Sequence, residues 1–219
     1  MERKNGSVPS GKWKMKVPSR REKAIAAITA FINHIVSGHL PTSCAPYFFG
    51  ARLFAAKKKS GGRRPIAVGN ILRRLASKCT AFAVAERAAN LLKPGQLGVG
   101  VRGGCEAIIH AMNSLASDGT IAEEDKLILQ VDLDNAFNRV DRTKGFQEVR
   151  RHFPDIAHWV ESSYGSQAEL LHGDDVILSC IGWQQGDPLG PLLWAVSSHP
   201  VIKQISEIEG IVANTWYLG

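Results

Sequence analysis

Cysteine is scarce in this chain of 219 residues: Cys44, Cys79, Cys105 and Cys180 are widely spaced, and no two form a CxxC pair. That pattern excludes a disulfide scaffold and gives no zinc knuckle. A reducing intracellular compartment, nuclear or cytoplasmic, is the expectation. Long hydrophobic runs are missing as well. The longest mainly apolar stretch, residues 24–36, carries Asn33 and His34 and is too short to cross a bilayer, and no signal-peptide core follows the basic N-terminus. No membrane partner is expected. With 44% hydrophobic residues, 21% charged residues and 10 prolines, the composition is that of a folded globular protein and not of a disordered one.

Acid is absent where base is densest. Residues 51–78 hold nine Lys/Arg and no Asp or Glu, and residues 1–23 hold eight Lys/Arg against two Glu, so these blocks carry +9 and +6 while the rest sums to −8. Two basic blocks on an otherwise acidic chain suit a surface that meets a polyanion, nucleic acid first. For residues 1–23 a solvated face or a targeting tail explains the charge equally well.

Along the chain, residues 1–20 mix Lys with Gly, Ser and Pro and read as a flexible basic lead-in. A first helix is expected over 22–37, stopped by Gly38, then a loop over 39–51 with the aromatics Tyr47, Phe48 and Phe49. Residues 53–56 and 64–68 flank a Lys59-Ser60-Gly61-Gly62 turn, a hairpin signal. Ile71, Leu72, Leu75, Cys79 and Phe82 recur at helical spacing, predicting a long helix that Pro94-Gly95 stops. Another helix is expected over 103–116 and a short strand over 126–133 (KLILQVDL). Residues 135–152 have helical character interrupted near Gly145. A second hairpin is expected over 168–181, turning at Gly173-Asp174-Asp175, which reads as a plain polar turn. A helix over 188–205 and a last strand over 211–218 complete an α+β order.

Three stretches carry chemistry. ILQVDLDNAFNRV, residues 128–140, delivers Asp132 at the end of the expected strand with Asp134 two residues on and Phe137 beyond. A carboxylate fixed by a strand is well placed to hold a hard cation; the plainer alternative is an Asp capping the helix near Asn135, which Asp134 fits better. GWQQGDPLGPLL, residues 182–193, is a Gly/Pro-rich turn that a nucleotide or another chain can approach closely. GGRRPIAVGNILRRL, residues 61–75, brackets a short strand with paired arginines suited to phosphate.

Together these stretches resemble the reverse transcriptase (RNA-directed DNA polymerase) domain of non-LTR retrotransposons. The likeness extends through LGVGVRGGCEAIIHA (residues 97–111) and VRRHFPDIAHWVESSYG (149–165), and so over roughly residues 50–219. It implies a right-hand polymerase fragment of α+β class: fingers over 21–116 and a partial palm over 117–219, with an antiparallel palm sheet, packed helices and no thumb. Carried over by position, Asp132 matches the carboxylate that binds Mg²⁺, two ions in the family, and the Leu133 carbonyl joins it. Phe137 matches the bulky residue under the incoming sugar that disfavours a 2′-hydroxyl. Gln185 and Gly186 match the pair near nucleotide and template, and Arg63, Arg64 and Arg73 are candidates for triphosphate or template-phosphate contact. The implied partners are an RNA template, a DNA primer and dNTP.

Two positions depart from the family pattern. Asn138 stands where an aspartate is usual but no metal is bound. Trp216-Tyr217-Leu218-Gly219 stands where the family has an aromatic-x-Asp-Asp turn, with Gly219 at the first aspartate. The expectation is a truncated copy, polymerase by descent and inactive as it stands. The competing reading is a non-enzymatic nucleic-acid-binding remnant that stacks bases on Trp13, Tyr47, Phe48 and Phe49. A literal GxGxxG at residues 98–103 lacks the preceding strand that a dinucleotide site needs, and the histidines share no metal-binding spacing.

Overall fold

The computed structural model describes residues 18–58, 61–120 and 122–218. The basic lead-in as far as residue 17, including Trp13, together with Lys59, Ser60 and Gly219, lies outside the described residues. Helix α1 (Arg20–Val36) begins at a capping box: Ser19 Oγ accepts from the Glu22 backbone N–H, and Glu22 accepts from that of Ser19. The expected loop after it contains a 3₁₀ turn (Thr42–Cys44) and the short helix α2 (Ala45–Phe49).

Strands β1 (Ala51–Lys57) and β2 (Arg63–Gly69) form the first expected hairpin, and α3 (Ile71–Leu92) follows at once. Asn70 fixes the start of α3 at both ends of its side chain, accepting from the Arg73 N–H (2.9 Å) and donating to the Phe48 carbonyl (2.8 Å). Then come α4 (Gly104–Ala116), a 3₁₀ turn (Ala136–Arg139), α5 (Arg142–His152), α6 (Pro154–Tyr164), the hairpin β3 (Ala168–His172) and β4 (Asp175–Ser179), and α7 (Gly190–Ser206). Gly173 and Asp174 form the second hairpin's turn, as a plain polar turn should, and Asp175 pairs with His172.

The sheet is mixed, in the order β2-β1-β3-β4, and not an antiparallel palm sheet. Each hairpin is antiparallel, but they join through a short parallel pairing of Ala51 with Leu170 and Arg52 with Leu171. Residues 126–133 do not form a strand. A strand needs a neighbour for its N–H and C=O groups, the sheet is built without this segment, and Leu127 and Leu129 stand 90% and 81% exposed. Residues 211–218 likewise form no strand; they are tied to the loop after α3 by an isolated bridge, Trp216 N–H to the Gly95 carbonyl (2.7 Å) and Leu97 N–H to the Trp216 carbonyl (2.9 Å).

The helical stretch over 135–152 is divided before Asp141 and not at Gly145. Asp141 caps α5 by accepting from the Thr143 N–H (2.8 Å), whereas the 3₁₀ turn that begins after Asn135 has no side-chain cap, from Asp134 or from Asp132. The helix runs unbroken through Gly145, where the Trp183 indole packs so closely that it would lie 2.3 Å from an added Cβ. That indole belongs to a core formed with Trp159, Phe153, Leu193, Val84, Leu92, Val149 and Val160, between α3 and α5–α7. Burying such large apolar groups is the main drive to this packing. Phe49 joins this core and Phe48 packs against it, so among the described aromatics proposed for base stacking only Tyr47 is well exposed.

Candidate nucleotide site

The Gly/Pro-rich stretch over 182–193 is held from three directions. Behind it, the Gly182 N–H donates to the Val140 carbonyl (2.9 Å) and the Trp183 N–H to the Phe137 carbonyl (2.7 Å), which locks it to the 3₁₀ turn. In front, the Ala67 N–H of β2 donates to the Gln185 carbonyl (2.8 Å). Gly186 passes so close to β2, at φ +124°, that a Cβ would lie 2.4 Å from the Ala67 oxygen. Only glycine takes that backbone angle without strain.

The third hold is a buried ion pair. Arg73, 1% exposed, donates through Nη2 to Asp187 Oδ2 (3.2 Å) and through Nη1 to Gln184 Oε1 (2.8 Å) and the Phe49 carbonyl. Its guanidinium lies over the rings of Phe49 and Tyr164, at 5.8 and 5.4 Å from their centroids. The Tyr164 hydroxyl donates to the same Asp187 oxygen (2.8 Å), while Asp187 Oδ1 accepts from the Leu189 N–H (2.9 Å) at the head of α7. Burial, then the negative Asp187, push the Tyr164 phenol well above its usual range, so it stays a proton donor. On the far side of Tyr164, Arg142 gathers the carbonyls of Gly182 (2.8 Å), Tyr164 (3.1 Å) and Ser179 (2.9 Å), and burial lowers its pKa.

In front of this frame opens a cleft of about 440 Å³ lined by Arg64, Ile66, Phe137, Gln184, Gln185, Gly186, Asp187, Pro188 and Pro191. Four residues singled out in the sequence, Arg64, Phe137, Gln185 and Gly186, thus meet from three distant parts of the chain. The Phe137 ring stacks on Trp194 of α7, centroids 6.1 Å apart. Arg63 does not join them. Neighbouring strand residues point to opposite faces, and Arg63 instead lines a shallow groove with Leu53, Phe54 and His172. Arg73 is corrected from a phosphate contact to a buried tie, since its charge faces Asp187 and not solvent. Asp132 and Leu133 lie on the exposed 126–133 segment and are not part of the cleft wall.

Residues 56–216 match the family model of the reverse transcriptase (RNA-dependent DNA polymerase). The chain belongs to the reverse transcriptase family. No curated protein matches it. The activity of this family is RNA-directed DNA polymerisation, its substrates are nucleotides on an RNA template, and it depends in general on divalent metal. The described residues of this reverse transcriptase do not by themselves assemble a metal centre. Among the described residues no three His, Cys, Asp or Glu side chains are grouped to hold an ion, and Asp132 and Asp134 are both exposed. A two-ion centre needs several oxygen ligands held close together.

Gln184, Asp187, Tyr164 and Arg142 escaped the sequence reading. Gln184 and Asp187 flank the Gln-Gly pair and were legible as neighbours of a motif. Nothing local marks Tyr164 or Arg142, whose partners lie 22 to 40 residues away.

Proposed function

We propose that this chain carries the nucleotide-binding part of an RNA-directed DNA polymerase of the non-LTR retrotransposon type, residues 21–116 serving as fingers and 117–219 as part of the palm. The single observation that supports it most is the convergence of Arg64, Phe137, Gln185 and Gly186 on one cleft. In this reading Arg64 meets phosphate with its guanidinium fork, and Phe137, backed by Trp194, lies under the sugar and disfavours a 2′-hydroxyl. Gln185 and Gly186 set the base and template against β2. Asp132 is the carboxylate for Mg²⁺, and the chain works inside the cell.

By itself the 219-residue chain is inactive in this reading, since its described carboxylates do not gather into a centre that could stabilise the transferring phosphoryl group. Primer extension on an RNA template with dNTP and Mg²⁺ tests it, beside an Asp132→Ala control. Silence is expected; extension that Asp132→Ala abolishes would refute the inactivity. The second reading, nucleic-acid binding without chemistry, is favoured by the exposed cations Arg63, Arg64, Arg74 and Lys78 on β2 and α3.

A further inference from the structure

Gln184 has one half of its amide engaged and the other half idle. It is 4% exposed, and its Oε1 accepts from Arg73 Nη1 at 2.8 Å. A guanidinium only donates, so chemistry alone fixes which end of the amide faces Arg73, and the NH₂ must face elsewhere. Arg73 is itself held by Asp187, the Phe49 carbonyl and two aromatic rings, so Gln184 cannot easily turn over. Its Nε2 is buried and has no hydrogen-bond partner, and the neighbouring Gln185 Oε1 is an equally unpartnered acceptor. Buried donors left unpaired are rare and costly, and one kept beside a cleft calls for an acceptor from outside the chain.

The cleft tells what kind of acceptor. Its cation, Arg64, is exposed, and Ile66, Phe137, Pro188 and Pro191 give the same lining a largely apolar character. The carboxylate there, Asp187, is already balanced by Arg73 and bonded by Tyr164. A neutral, partly apolar group suits that surrounding better than a phosphate, whose charge would lose its hydration without gaining a cation. We propose that Gln184 contacts the nucleoside, its Nε2–H donating to a neutral acceptor on the base or sugar of a nucleotide seated in the cleft. The Arg73–Asp187 pair acts through it as the positioning element. This inference rests on the cleft being a nucleotide site.

The test is equilibrium titration of the full 219-residue chain with dATP, with inorganic tripolyphosphate and with base-free 2-deoxyribose 5-triphosphate. Wild type is compared with Gln184→Met, which keeps the shape but drops the free donor and the acceptor of Arg73 together, and with Gln184→Leu should Met fail to fold. In a folded variant dATP binding falls roughly tenfold while tripolyphosphate binding is unchanged, and the melting temperature changes little, because the unpaired donor goes together with an acceptor of Arg73, which keeps Asp187 and the Phe49 carbonyl. Weakening shared by the base-free sugar assigns the sugar as acceptor, and weakening confined to dATP assigns the base. Variants that fold and bind dATP as wild type does overturn the inference alone, as does an equal loss for tripolyphosphate. A wild type that binds neither dATP nor tripolyphosphate overturns the nucleotide reading of the cleft, and the inference with it.

Discussion

Arg73 shows how one buried side chain can serve several elements. Its guanidinium joins α3 to the end of α2 through the Phe49 carbonyl and to the Gly/Pro-rich turn through Gln184 and Asp187. A buried ion pair adds little net stability against an apolar pair of similar shape, because both charges have left water, yet removing one member strands the other. Arg73→Met is therefore expected to cost about 3–5 kcal/mol in denaturant unfolding, and the double change Arg73→Met with Asp187→Leu less than the sum of the two singles. Additive losses would show that the two charges are not coupled. The sequence could not separate this role from phosphate binding. Arginine in a basic block next to a Gly-rich segment looks the same in both cases, and only the partner across 114 residues distinguishes them.

At the scale of elements, the contact between α5 and α7 carries a titration. His199 on α7 faces His152 on α5, ring centroids 6.0 Å apart, with Glu148 and Lys203 beside them and Glu148 3.4 Å from His152. Burial, then the neighbouring His152 and Lys203, lower the His199 pKa from its ordinary 6.5, with Glu148 opposing. The unfolded chain then takes up a proton more readily than the folded one. Stability is thus unaffected by this group above about pH 6.5, declines as the pH falls below it, and levels off once the folded-state pKa has been passed. His199→Gln should flatten that decline in melting curves taken across the range, and an unchanged decline would assign it to other groups. The same scale explains the missing strand over 126–133. Its alternation and β-branched residues are real strand signals, but pairing is a property of two segments, and β3 lies beside β1 instead.

At the scale of the whole molecule, the charge asymmetry becomes geometry. The acid-free block over 51–78 folds into β1, β2 and the first turns of α3, with Arg63, Arg64, Arg74 and Lys78 exposed. Binding of single-stranded RNA by this surface should weaken steeply with salt and show little sequence preference. Replacing Arg63 and Arg64 with Gln should flatten the log K against log salt slope by roughly 1.4 if both meet phosphate. An unchanged slope would remove both from the interface. Their separation bears on the result, since Arg64 opens on the cleft and Arg63 on the opposite face of the strand.

The sequence by itself determined what depends on near neighbours: the extents of α1, α3, α4 and α7, the presence of both hairpins, and the motifs that carry the family likeness. Caps, helical spacing and turn chemistry act over a few residues, so they can be read in one dimension. Only the tertiary structure decided that the hairpins share one mixed sheet, that 126–133 is left unpaired, and that Arg64 reaches the cleft while Arg73 is buried behind it. It alone brought Phe137 and Gln185 to one wall and gave Gln184, Tyr164 and Arg142 their partners. Those outcomes turn on which distant groups compete for the same space and the same hydrogen bonds, and that competition is settled only when the whole chain packs.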